Sequence, residues 1–398
     1  MSVSDQLLNE LRTRTTDLHQ EQIGWRRHLH QNPELSGQEF ETTAFLAERT
    51  AEWGLDTLEV SSDTGHVAEI RGADRPIVAI RTDIDALPVD ERTDLPFTSK
   101  IPGRMHACGH DMHMAAVLGV ARILSQMKDE LPGTVRFLFQ PAEEQPPGGA
   151  LGLIKDGALD NVSMILGLHV DPHLATGAIG LRDGITMAAV TDFNLIIGGR
   201  GGHAARPQDS VDAITTASEV IESLQKVVSR ETDPITPVAI TFGRIEGGRV
   251  RNVIADEVRL EGTARALSVK AARELPRRIK RTATGICKAR GASVSMEVLG
   301  SYPVFINDPK ANSILRSSFR QLYPKGRIHL TEQVLGGEDF SRYLEIVPGA
   351  MFRLGIRNKT IGADKPWHSN QFVADEAALP FATSLLAAAA INAIMELS

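Results

Sequence analysis

The chain has 398 residues, 42% of them hydrophobic and 23% charged, with a formal net charge of −7 and two cysteines. That length exceeds one ordinary hydrophobic core and predicts two domains, and the acidic balance, with no basic run interleaved with aromatics, argues against nucleic acid as a partner. Two cysteines cannot build a disulfide scaffold, the polar N-terminus lacks the apolar core of a signal peptide, and no stretch reads as the ~20 apolar residues of a membrane span, so a cytoplasmic protein with no membrane partner is expected.

Positions 4–30 predict a helix that stops at Asn32-Pro33, because proline disfavours helical geometry in the residue before it. A second amphipathic helix is expected over 38–53, closed by Gly54. His28 and His30 read as surface or packing residues. Strand-like runs follow at 66–71 and 76–81, the second nearly all apolar, as in a strand covered on both faces. It leads into Arg81-Thr82-Asp83-Ile84-Asp85. Ligands gather beyond the carboxyl ends of strands in open α/β sheets. Asp83 is therefore read as functional, while for Asp85 a turn cap and a functional role stay equally open.

The stretch 105–113 reads Met-His-Ala-Cys-Gly-His-Asp-Met-His. Thiolate and imidazole favour transition metals over calcium or magnesium. Cys108 and His110 flank a glycine that gives the backbone unusual freedom, so both side chains can point the same way. Positions 114–127 carry apolar residues at helical spacing. The run 134–140 predicts a buried strand that ends in Pro141-Ala142-Glu143-Glu144. Of two adjacent glutamates, one can bind metal while the other stays free to carry a proton. A further strand at 164–168 delivers His169 at its end, and His173 is left unassigned.

From about position 184 the pattern changes. Strand 189–198, helix 210–230, strands 238–244 and 257–266, helix 270–290 and strand 293–299 give the order β-α-β-β-α-β of a ferredoxin-like unit. Such a unit leaves a sheet face or edge open, which suits dimerisation. From 303 the first style resumes with helix 309–322, strand 350–355, a loop holding Trp367-His368-Ser369, and a final helix 376–397. Taken alone, His368 reads as a packed loop histidine.

Met-His-Ala-Cys-Gly-His-Asp, Pro-Ala-Glu-Glu, Gly-Leu-His-Val, Gly-Gly-His-Ala-Ala-Arg-Pro, Gly-Gly-Glu-Asp-Phe-Ser and Trp-His-Ser occur here in one fixed order. Together they resemble the aminoacylase and carboxypeptidase-G superfamily of metallopeptidases, and within it the amidohydrolase branch of hippurate hydrolases and indole-acetyl-amino-acid hydrolases. The resemblance implies an α/β catalytic domain with a central mixed sheet flanked by helices, built from residues 1–184 and 301–398. A smaller α+β ferredoxin-like lid and dimerisation domain would occupy 185–300.

It further implies two divalent metal ions, manganese or zinc with cobalt or nickel as alternatives, on Cys108, His110, Glu144, His169 and His368, with Cys108 bridging. Glu143 would be the general base. His203 would reach a partner subunit's site and steady the oxyanion, and Asn252 would touch substrate. Distant members of the superfamily have His-x-Asp where this chain has Arg81-Thr82-Asp83, so His110 takes over a ligand role and Asp83 stands behind it. The expected activity is hydrolysis of small N-acyl amino acids by a homodimer, with a carboxypeptidase or dipeptidase as the alternative. Arg206, Arg249, Arg251 and Arg265 are candidates for holding the substrate carboxylate.

Overall fold

The computed structural model describes residues 4–73 and 76–398, and its chain divides into two compact units. The first comprises residues up to Gly184 with Ile306–Glu332 and Arg342–Ser398; the second comprises Ile185–Phe305 and Gln333–Ser341.

In the first unit, the described residues form a mixed sheet. Its strands run Asp56–Leu58, His66–Ile70, Thr134–Gln140, Ile77–Asp83, Val162–Ala175, Gly349–Arg357, Ile179–Leu181 and Ile328–Leu330 in spatial order. Thr134–Gln140, Ile77–Asp83, Val162–Ala175 and Gly349–Arg357 are parallel neighbours, while His66–Ile70 joins antiparallel. Every residue of Ile77–Asp83 and Thr134–Gln140 is buried, in keeping with the mostly apolar runs Ile-Val-Ala-Ile and Val-Arg-Phe-Leu-Phe within them. Helices Asp5–Gln31, His110–Ser125 and Leu379–Leu397 pack on one another, and the last two also pack on strand Ile77–Asp83.

Three details differ from the sequence reading. The strand through His169 does not end there but continues to Ala175, because Gly349–Arg357 pairs with it as far as Arg357 opposite Ala175. The helix expected from 114 begins at His110, because Gly109 at φ +87° turns the chain directly into it. The final helix is, contrary to expectation, long and apolar enough to cross a membrane by length and composition. Its apolar surface is used internally, since 83% of the apolar window is buried in the protein.

The second unit is a four-stranded antiparallel sheet among the described residues, ordered Val238–Gly247, Glu257–Ala266, Ala189–Gly198, Ser293–Tyr302. This is the strand order of a ferredoxin-like unit. Helices Ala213–Glu231 and Val269–Ala289 pack on it over a core of Phe193, Leu195, Ile197, Leu224, Leu260 and Ile279. Segment 333–341, assigned by the sequence reading to the catalytic domain, clusters with this unit. Gln333 Nε2 donates to Ile185 O at 2.9 Å, and Arg265 Nη1 donates to Leu335 O at 2.8 Å. That ion-dipole contact occupies one of the arginines considered for the substrate carboxylate.

Candidate metal centre

The parallel strands of the first unit carry their carboxyl ends to one place, and the chemistry-bearing residues gather there. Gly109 ends its turn in a left-handed conformation, with Cys108 before it and His110 opening the helix behind it. A Cβ on Gly109 would lie 2.5 Å from Val170 Cγ2, so a side chain is excluded on two grounds. Ala142, at φ +54°, turns the chain after strand Thr134–Gln140 and presents Glu143 and Glu144. Its N–H donates to Glu39 Oε1 at 2.8 Å, a buried carboxylate from the start of helix Phe40–Glu52. His368, also in a left-handed conformation at φ +63°, is tied to the cysteine loop by its N–H, which donates to Ala107 O at 2.9 Å.

The result is a set of overlapping triads whose potential ligand atoms lie within 4.8 Å of one another: Cys108 with His110 and His169, Cys108 with Glu144 and His368, and His110 with Glu143 and Glu144. Cys108 Sγ is 3.5 Å from His169 Nε2, and Glu144 Oε1 is 3.8 Å from His110 Nε2 and 3.5 Å from His368 Nε2. His203 and Asn252 belong to the second unit, where they lie at a two-stranded antiparallel pairing of Gly202–His203 with Val253–Ile254. Val253 pairs with His203, and Ala204 N donates to Asn252 O at 3.1 Å.

Hydrogen bonds assign the histidine tautomers. His110 Nδ1 lies 2.8 Å from Asp85 O, and His169 Nδ1 lies 2.8 Å from Val170 O. A carbonyl only accepts, so each Nδ1 carries the proton and each Nε2 lone pair faces the cluster. His113 is arranged the other way. Its Nε2 accepts from Val170 N at 2.9 Å and its Nδ1 donates to Asp83 Oδ1 at 2.6 Å. Asp83 also receives Arg81 Nη1 at 2.8 Å and stands 3.7 Å from His110 Nε2. It is therefore a carboxylate held between a cation and two imidazoles.

Electrostatics show what the cluster lacks. Burial pushes the Cys108 thiol well above its ordinary value, and the nearby Glu144 carboxylate adds to this. Burial likewise pushes Glu144 up to about 7, against the pull of His110. At His110 burial acts downward, but Asp83 and Asp85 outweigh it and raise the ring well above the usual histidine range. Burial and the Arg353 guanidinium hold His169 well below that range. Burial would raise Asp83, yet His110, His113 and Arg81 hold it well below.

A buried thiol and carboxylate that resist ionisation beside an imidazole drawn to protonate describe a pocket in need of positive charge. His110 Nε2 and Glu144 Oε1 are moreover buried with no hydrogen-bond partner among the described residues. Buried polar atoms of this kind are normally satisfied, so both fit a bound cation. The donor set, thiolate with imidazoles and carboxylates, suits zinc, manganese, cobalt or nickel.

The sequence reading missed His113, Glu39 and the pairing of Arg81 with Asp83. His113 follows His110 by one helical turn and so shares its face, which was the available signal. Glu39 had none, since its partner is 103 positions away.

A twisted parallel-centred sheet bearing this cluster, in a chain that also contains a ferredoxin-like unit, is the arrangement of a metal-dependent amidohydrolase. The chain belongs to peptidase family M20/M25/M40, whose sequence pattern matches residues 79–392. It is 41% identical over 376 residues to N-acetylcysteine deacetylase of Bacillus subtilis, covering 94% of this chain and 97% of that one. It is 38% identical to IAA-amino acid hydrolase ILR1-like 4 of Arabidopsis thaliana, covering 94% of this chain and 86% of that one. The crystal structure of the YXEP protein of Bacillus subtilis, described as a dinuclear metal binding peptidase of the M20 family, superposes with a TM-score of 0.82 at 38% identity. That match covers 96% of this chain and 99% of that one. The resemblance drawn from the sequence motifs and the fold it implied are both borne out.

Proposed function

We propose that the chain hydrolyses the amide bond of N-acyl-L-amino acids, releasing a carboxylic acid and a free amino acid. The observation that carries this reading is the convergence of Cys108, His110, Glu144, His169 and His368 into two ligand triads that share Cys108, with Glu143 beside His110 and Glu144. Similarity to a deacetylase of N-acetylcysteine and to a hydrolase of amino-acid conjugates supports the choice of a small acylated amino acid.

In this reading those five residues would hold two divalent cations, which would supply a lowered water pKa and a polarised substrate carbonyl. Glu143, 8% exposed and not needed as a ligand, takes the proton of the attacking water on a carboxylate oxygen. It then delivers that proton to the departing amine nitrogen, so the amide C–N bond breaks as neutral amine leaves. Asp83 fixes His113 and faces His110, and so orders the cluster without meeting substrate. His203 is assigned as the donor to the tetrahedral oxyanion from a partner subunit, and Asn252 as a substrate contact; their motifs support this. The working unit is then a homodimer formed through the second unit. The apolar Ile245, Val298 and Leu299, exposed on its two edge strands, are consistent with that.

The test is hydrolysis of N-acetyl, N-benzoyl and indole-acetyl amino acids, beside dipeptides, by chelated protein to which manganese, zinc, cobalt or nickel is returned. Metal-restored release of free amino acid from the acylated panel is expected. Activity confined to dipeptides would place the chain with the carboxypeptidases and dipeptidases instead.

A further inference from the structure

We propose that Glu39 is a positioning residue for Glu143, holding the turn at Ala142 so that the Glu143 carboxylate stands where the proton has to be moved; this rests on the reading of Glu143 as the general base. Glu39 is fully buried at the start of helix Phe40–Glu52, yet its side chain caps none of that helix's own amides. The first amides of a helix lack partners inside it, and here Glu34 supplies them. Its carboxylate accepts from Glu41 N at 3.2 Å and from Thr42 N at 2.8 Å. The Glu39 carboxylate is thereby released to another segment, and its Oε1 accepts from Ala142 N at 2.8 Å.

Ala142 stands at φ +54°, in the left-handed region that a residue with a Cβ keeps only where its surroundings enforce it. Two clamps do so. On one side Ile84 N donates to Gln140 O at 3.0 Å, Gln140 Nε2 donates to Pro141 O at 3.3 Å, and Glu39 pins the Ala142 amide itself. On the other, Glu144 N donates to Asp85 Oδ2 at 3.0 Å, an oxygen also held by Ser36 Oγ at 2.7 Å. The peptide planes before Ala142 and after Glu143 are both fixed, so the two residues between them have little choice of conformation. Ser36 and Glu39 flank one turn at Gly37, and that turn therefore reaches both ends of the pair. Burial and the neighbouring Asp85 push the Glu39 carboxyl up, while the Ala142 amide draws it down. Ionised or not, it offers Ala142 an acceptor oxygen. A catalytic group misplaced by about 1 Å can cost about 10²-fold in rate, which makes the placement of this backbone matter to turnover.

Two substitutions separate reach from charge. Glu39→Asp keeps the carboxylate but draws it back by one methylene, away from Ala142 N. Glu39→Gln loses the charge but keeps an oxygen at that distance. Both are compared with wild type and Glu143→Gln for kcat and KM on N-acetyl amino acids, and for bound metal in the same preparations. Assays run at a temperature where circular dichroism shows each protein fully folded. Crystal structures of wild type and Glu39→Asp read φ at position 142 independently of activity. Glu39→Asp is expected to lower kcat about 10–100-fold with KM and metal content kept, and Glu39→Gln to stay within about threefold of wild type. Ala142 should leave the left-handed region in the Glu39→Asp crystal. Adding Ala142→Gly to Glu39→Asp should return at least about threefold in kcat, because glycine holds positive φ without steric cost. Wild-type turnover in Glu39→Asp, or Ala142 unmoved in its crystal, overturns the proposal. So does loss of metal in step with turnover, which would make Glu39 a support of Glu144 instead. Equal damage by Glu39→Gln and Glu39→Asp overturns it too, since charge or packing would then be the cause. Full turnover in Glu143→Gln would remove the base assignment itself, and the proposal with it. Should Glu39→Asp fail to fold, Glu39→Met, which fills the same space without an acceptor, takes its place.

Discussion

Replacing Gly109 with alanine should damage stability and metal binding together, because two separate constraints meet at that position. The backbone sits at φ +87°, where an L side chain costs about 1–2 kcal/mol. The new Cβ would also lie 2.5 Å from Val170 Cγ2 and 3.4 Å from Phe372 Cζ. Val170 is fully buried and cannot move away freely. Its N–H donates to His113 Nε2 at 2.9 Å, and its carbonyl accepts from Trp367 Nε1 at 3.0 Å as well as from His169. Overpacking of this kind costs about 1–3 kcal/mol, so the whole loss should be about 2–5 kcal/mol. Gly103 separates the two terms. It has φ +75°, but its added Cβ meets only Asp90 Oδ1 at 3.8 Å, so Gly103→Ala should show the backbone cost alone. Urea unfolding of the metal-free proteins measures both losses, and Co2+ titration reports whether displacement of Val170 reaches His169. Equal destabilisation by the two substitutions, with unchanged metal affinity in Gly109→Ala, would refute the reasoning.

Other consequences follow from buried charge. Arg26 and Asp111 are 1% and 0% exposed, and Arg26 Nε meets Asp111 Oδ2 at 2.7 Å, so Arg26→Met leaves a buried anion without its guanidinium, beside the imidazoles of His30 and His106. Unfolding free energy should fall by about 3–5 kcal/mol in a denaturant titration, and a loss below about 1 kcal/mol would contradict this. His66 gives a pH signature, because burial lowers its pKa from 6.5 to about 4. The unfolded chain therefore binds a proton that the folded chain refuses. The stability contributed by the neutral ring is complete above pH 6.5 and is lost as pH falls from there toward 4. Between pH 7.5 and 5.0 the wild type should lose about 2 kcal/mol more than His66→Gln, and equal losses would remove His66 as the cause.

Much of the site was legible because apolar runs stop at residues with chemistry. Ile77–Asp83 and Thr134–Gln140 are buried throughout, and the polar residues after them could be read as the sheet's working edge. His169 was found for a partly mistaken reason. It lies within a strand, opposite Arg353 of a neighbour 184 positions away, and nothing local announces that pairing. The first turn of helix His110–Ser125 looked like loop because it holds His110, Asp111 and His113. All three are buried by partners from other segments, including Asp85, Arg26 and Asp83. His30 read as a surface or packing residue for the same reason, yet it sits between Asp111 and Glu91. Asp85 stayed undecided since its role depends on Ser36 and Glu144, 49 and 59 positions away. Periodicity exposes strands and helices, but a polar side chain satisfied at long range leaves no mark in its own neighbourhood.

The most direct test of the account is Glu143→Gln, assayed for turnover of an N-acyl amino acid and for bound metal in the same preparation. A proton carrier that is not a ligand predicts that turnover falls by about 10²–10⁴-fold while the wild-type metal content is kept. Near-normal turnover with full metal would show that another group moves the proton. Loss of metal along with activity would make Glu143 a ligand, and the division of labour between the two glutamates would have to be reversed.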